Sequence, residues 1–201
     1  MGILARLRRV DAGPEVEGLP LLDTNLRVVR DDSSFTAEDG STIRALGFAL
    51  LDPIGEFTHP GEDDWLREAG CRLCKVAGLT HQPEAAQDAR FAPGSVVVLA
   101  PDPKNPVDPH AVTIWDAKGE LQVGFVPAEL AESIAGRIAA GELLGGVILR
   151  EYRTEAPDDR RVGLVMLIAP MGKVTLRVEA QPGAAATEAE AEAGDAGEDP
   201  S

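Results

Sequence analysis

The groups in this sequence that could do chemistry are few. They are three histidines (His59, His81, His110), the pair Cys71-x-x-Cys74, and a proline-braced run of polar side chains, DPKNPVDPHAVTIW, from Asp102 to Trp115. The cysteine pair with His59 and His81 invites a zinc reading, but structural zinc uses four ligands, commonly as two close pairs. Only one tight pair exists, and it falls on or beside an expected strand. Cysteine is also a common core residue. No metal and no cofactor are therefore expected, with Cys71 and Cys74 the candidates to check. A thioredoxin-type redox pair would need a helix after the second cysteine, and none is expected there. The sequence has no serine elbow, phosphate-binding glycine loop or H-E-x-x-H motif, so it is read as a non-enzyme. An enzyme built on His81 or His110 would require a deep pocket around one of them.

The run from Asp102 is more specific. Pro103, Pro106 and Pro109 push Asp102, Asn105 and Asp108 out of the helical region, giving a stiff, extended connection with its side chains fixed in direction. Asp and Asn can accept hydrogen bonds from amides further along such a turn. That is the structural reading, and it fits Asp108 best. Asp102 leaves an apolar strand, where its carboxylate could face solvent or a ligand hydroxyl.

The elements that must position these groups are mostly strands. NLRVVRDD and STIRALGFALLDP read as strands separated by an AEDG turn, and Asp63 or Asp64 is placed to cap a short helix carrying Trp65 and Leu66. CRLCKVAGLT is a strand candidate, and PEAAQDARFAPG a short helix or loop. SVVVLAP, HAVTIWDA and LQVGFVP follow as strands, with Ala111, Thr113 and Trp115 on one face and Val112 and Ile114 on the other. Pro127 starts a helix whose Leu130, Ile134 and Ile138 recur every four residues, and Gly141 stops it. LLGGVILREYR, RVGLVMLIAP and KVTLRVEA are further strands. The expected fold is mainly β with one principal helix, a small closed or nearly closed barrel, with a flat sandwich as the alternative.

The motifs around the loop form a recognisable series. KVAGLT is followed by G-x-x-V-x-L, then D-P-x-N-P-x-D, then A-V, a glycine turn, V-G-x-V-P and an A-x-x-I/L-A helix. This arrangement over about 71–155 resembles the HIRAN domain, a module of helicase-like transcription factor and related repair ATPases that also occurs as a stand-alone bacterial protein. The resemblance implies an OB-like β-barrel that binds single-stranded DNA and captures a 3′-hydroxyl end. It implies a pocket lined by an aromatic pair after the first strand's G-L, a loop aspartate and the residue after V-G. Here the aspartate corresponds to Asp102 and the residue after V-G to Phe125, which can stack on a base. The aromatic pair is replaced by Thr80, His81 and Gln82, and the insertion PEAAQDARFAP lengthens the next loop. His81, Gln82 and Lys104 then flank the strand, with Asn105 and Asp108 completing the loop. Lys75, Arg90, Arg150 and Arg153 are further cations for phosphates. The ATPase chemistry of larger relatives belongs to domains that have no counterpart among these motifs.

The formal charge of −15 is unevenly spread. Residues 1–70 carry 7 Lys/Arg against 14 Asp/Glu, residues 71–178 carry 12 against 13, and residues 179–201 carry none against 7. The nearly neutral centre argues against tight non-specific nucleic-acid binding but leaves room for a small pocket that holds a strand end. The tail, Ala/Gly/acid-rich, is expected to be disordered. The organisation expected is an N-terminal extension over 1–70, weakly β, either packed on the barrel or a separate small unit; a barrel over 71–178; and an acidic tail over 179–201. If the extension packs, Phe48 and Trp65 should be buried. No apolar run is long enough to span a membrane, and two cysteines without a disulfide framework point to the cytoplasm. The expected function is nucleic-acid binding, with single-stranded DNA or another nucleic acid as partner and a link to DNA repair. The alternative is a protein–protein adaptor that uses the barrel as scaffold and the acidic extension for docking.

Overall fold

A computed structural model describes residues 24–179. The acidic tail expected to be disordered lies outside the described residues, apart from Glu179, as does the basic start of the chain. The described strands form one mixed sheet. They are β1 (Thr24–Thr36), β2 (Thr42–Leu51), β3 (Phe57–Thr58), β4 (Arg72–Lys75), β5 (Val96–Pro101), β6 (Val112–Asp116), β7 (Gln122–Phe125), β8 (Leu144–Thr154), β9 (Arg161–Pro170) and β10 (Val174–Glu179). Helices α1 (Asp64–Glu68) and α2 (Pro83–Gln87) are single short turns, and α3 (Ala128–Ala139) is the principal helix. Among the described residues no helix is long and apolar enough to cross a membrane.

Antiparallel ladders run β4–β9–β8–β5–β6–β7. No ladder joins β7 back to β4, so the barrel is not closed in that sense. One residue pair spans the gap: Ala77 and Phe125 exchange both backbone hydrogen bonds, each at 2.9 Å. The interior is filled by Phe91, Val112, Ile114, Ile148, Leu164 and Met166. From α3, Ile134 is fully buried there, with Leu130 and Ile138 packed alongside as the four-residue repeat requires.

A second layer covers the outer face of β4, β8 and β9. β1 and β2 form a long hairpin, β10 adds parallel to β1, and β2 pairs with the second half of β8. Leu26, Val28 and Leu50 thereby meet Leu73, Val147, Leu149, Val165 and Leu167 in a second core. Buried on both faces, β9 cannot alternate, which explains why RVGLVMLIAP reads as a continuous apolar run. Phe48 and Trp65 are half-buried against this core, less than the full burial expected for a packed extension. β1 also extends past the expected NLRVVRDD through SSFT, because β2 pairs with it as far as Thr36.

Asp63 does occupy the cap position of α1, but its side chain does not cap the helix. The buried carboxylate accepts the Leu73 amide of β4 at 2.9 Å, while Asp64 pairs with Arg67.

Candidate functional site

The register between β6 and β7 decides which face Phe125 presents. Thr113 stands opposite Phe125 and Ile114 opposite Gly124, but Trp115 stands opposite Gln122, so Val123 is an extra residue. Val123 and Val126 enter the barrel core. Phe125 is left on the outer face with Thr113, and Gln122 with Trp115. Without that bulge, alternation would bury Phe125 beside Val123.

Two glycines let the chain leaving β4 close over this face. A Cβ on Gly124 would lie 2.3 Å from the Ala77 carbonyl oxygen, so only glycine admits the Ala77–Phe125 bridge. Gly78 has φ +75, and a Cβ there would meet the Phe125 ring at 3.3 Å and His81 Cδ2 at 4.0 Å. Phe125 and His81 therefore converge over Gly78. His81 sits in the 3₁₀ turn Leu79–His81 and is exposed; Phe125 is half-buried. Gln82 follows at the start of α2, half-buried, with its carbonyl accepting from Ala86.

α2 is fastened from below. Arg161 on β9, buried, donates to Glu151 at 2.5 Å, to the Ala86 carbonyl at 2.7 Å and to the Asp88 carbonyl at 3.0 Å. Gln87 exchanges two bonds with the Arg161 backbone, at 2.9 and 2.8 Å. The insertion that follows Gln82 is thus held by a buried charge-assisted network rather than by apolar contact alone.

The loop after β5 is stiffened by its own side chains. Asn105 Oδ1 accepts the Val107 and Asp108 amides at 3.0 and 3.2 Å, and Asp108 accepts the His110 amide at 2.8 Å. Asp102 accepts the Lys104 amide at 3.3 Å and Asn105 Nδ2 at 3.4 Å, while its own amide donates to Ala111 at 2.7 Å. Asn105 and Asp108 are therefore engaged in turn-building. The two long bonds of half-buried Asp102 leave acceptor capacity on both oxygens. Ala100, two residues earlier, pairs with Thr113, which pairs with Phe125; Asp102 follows just past the end of β5, level with Ala111, two residues along from that row. Lys104 is exposed beside it, and Val107 at the tip is 90% exposed.

Of the other cations, Arg90 pairs with Asp88, Arg150 with Asp31 and Arg153 with Asp159, so each is balanced by an acid within the fold. Lys75 is exposed. The hydrogen bonds from Arg90 hold Asp88 down at about 2. The amides of Leu121 and Glu120 likewise lower Asp116, fixing the β6–β7 turn.

The cysteines do not form one site. Cys74 belongs to the barrel core and Cys71 to the second core. Burial pushes their thiols up to about 11 for Cys71 and about 12 for Cys74, away from the thiolate a metal or redox role needs.

Sequence reasoning missed Trp115, which shares the outer face with Phe125 and whose indole N–H donates to Thr113 Oγ1 at 2.8 Å. Alternation along HAVTIWDA does place Trp115 with Thr113. The bulge that brings Phe125 to the same face has no clear signature in LQVGFVP.

Comparison with known proteins bears on the same segment. The family model for the HIRAN domain matches residues 70–165. The crystal structure of the HIRAN domain of human HLTF is similar, at 24% identity, over 49% of this chain and 74% of that one, with a TM-score of 0.36. A crystal structure of a protein from Lactobacillus plantarum is 17% identical over 48% of this chain and 89% of that one, with a TM-score of 0.34. No curated protein matches.

Proposed function

Because residues 70–165 match the HIRAN domain, a nucleic-acid-binding module, we propose that this protein binds single-stranded DNA with a preference for 3′ ends, in DNA repair or processing. The observation that carries the reading is the convergence of Phe125 and His81 over Gly78, opposite the Thr113–Ala100 row whose β5 strand runs on into the Asp102 loop. Phe125 offers a stacking face where the aromatic pair implied by the family resemblance is absent, and His81 flanks it. Asp102 accepts a hydrogen bond from a terminal hydroxyl, and Lys104 lies beside it to meet the adjoining phosphate. Catalysis forms no part of this role.

The test is fluorescence anisotropy at low salt, where phosphate contacts are least screened, with strands ending in a 3′-hydroxyl or a 3′-phosphate. The hydroxyl strand should bind more tightly, and Asp102→Ala should abolish that difference. Phe125→Ala should weaken both strands about 5- to 150-fold, the equivalent of one base–aromatic stack. Equal binding of the two strands by the wild type would rule out end capture.

The internal pairing of Arg90, Arg150 and Arg153 favours a second reading, a protein–protein adaptor with few cations to spare for phosphates. Failure of every strand to bind would leave the adaptor as the better account.

A further inference from the structure

We propose that Trp115 forms a second stacking site for an unpaired base, next to Phe125 on the outer face of β6 and β7, so that the protein holds at least two bases of a single strand. This rests on the nucleic-acid reading above. Its support is positional. The β-bulge at Val123 places Phe125 opposite Thr113 and leaves Trp115 two residues further along β6 on the same face. Residues so related lie about 7 Å apart along a strand, and diagonal neighbours on paired strands are about 7–8 Å apart. That is about twice the 3.4 Å rise of a stacked strand, so successive bases of a stretched strand can reach one ring each.

The indole is also held ready. Trp115 Nε1 donates to Thr113 Oγ1 at 2.8 Å, and that hydroxyl donates onward to the Ala100 carbonyl at 2.7 Å. The ring is half-buried and its polar edge is satisfied, which reduces the rotamer freedom to be lost on binding. The same chain of bonds spends the O–H of buried Thr113 and the indole N–H, leaving neither to donate to a base edge. Stacking at this site therefore tolerates any base, as it does on other single-strand platforms. Exposed Lys118 in the β6–β7 turn and exposed Lys104 in the loop lie toward opposite ends of β6, where the backbone of a strand running along β6 would pass. The Asp116 carboxylate between them is turned into its turn, accepting the Glu120 and Leu121 amides.

The chain has two tryptophans, so Trp65→Phe leaves Trp115 as the only indole. The experiment titrates this full-length variant with short oligodeoxythymidylate and oligouridylate, following tryptophan emission and anisotropy together. The expected result is quenching of Trp115 that saturates with the anisotropy signal. Trp115→Ala should weaken binding at least fivefold, and Trp115→Phe should hold it within about threefold, since stacking needs only an aromatic face. Quenching is read without substituting position 115, so a misfolded alanine variant does not decide the matter. Binding by anisotropy with unchanged Trp115 emission would overturn the second site while leaving the Phe125 site standing. No binding of either oligonucleotide would overturn both. Quenching by one oligonucleotide alone supports the site and shows that it discriminates by the sugar or by the thymine methyl, which oligodeoxyuridylate then separates.

Discussion

Gly78 is the residue on which the candidate site depends most directly. Its φ of +75 is disfavoured for any side chain, and a Cβ would press on the Phe125 ring. Gly78→Ala should cost about 1–2 kcal/mol from the left-handed backbone, seen as a lower denaturation midpoint. It should also weaken strand binding beyond what the stability loss explains. The cysteines give a second prediction at this scale. Their thiols sit at about 11 and about 12 against an ordinary 9.0, so the folded state favours the protonated form. The associated stability is fully present below pH about 9 and is lost as pH rises toward the folded values. At pH about 8 a thiol reagent should leave the native protein unmodified and label both cysteines once it is unfolded. Phe125, His81 and Asp102 could be picked out in the sequence through the motifs that flank them. Trp115 could not, because its relevance comes from a neighbour on another strand.

Among the elements, α2 shows how an insertion can be given a fixed place. Arg161 reaches Glu151 and two carbonyls of the insertion, and Gln87 clasps its backbone. Arg161→Ala would leave buried Glu151 with only the 3.5 Å contact to Arg153 and should destabilise the fold by up to about 3–5 kcal/mol. Replacing the pair together with Leu and Met should cost much less, measured by chemical denaturation, yet loosen the insertion that follows Gln82. Asp63 works on a smaller scale: Asp63→Ala leaves the Leu73 amide unpaired and should cost about 1–3 kcal/mol. The strands, turns and α3 were legible because apolar alternation, Pro127 and Gly141 are local signals. The Asp63 bond was not, since a carboxylate before a helix looks like a cap whether it bonds to that helix or to a strand ten residues on.

At the scale of the molecule, the sheet runs beyond the matched segment at both ends: β1 and β2 precede it, and β10 follows it. These strands cover an apolar face that β8 and β9 would otherwise expose. We infer that residues 24–58 and the barrel are one cooperative unit. Limited proteolysis should then release no stable fragment starting near residue 70, and a chain cut there should aggregate through Val147, Leu149, Val165 and Leu167. The barrel was legible as a tally of short strands. The parallel pairing of β10 with β1 and the open seam between β4 and β7 were not, because long-range pairing leaves little trace in local pattern. That seam has a consequence for how the molecule breathes. A ring stitched along five sides by ladders and on the sixth by two hydrogen bonds should part first at the stitch. In native-state hydrogen exchange, the amides of Ala77 and Phe125 should be the earliest of the barrel's bonded protons to go. A base resting on Phe125 would act as a clasp, slowing exchange at those two protons more than in the second core.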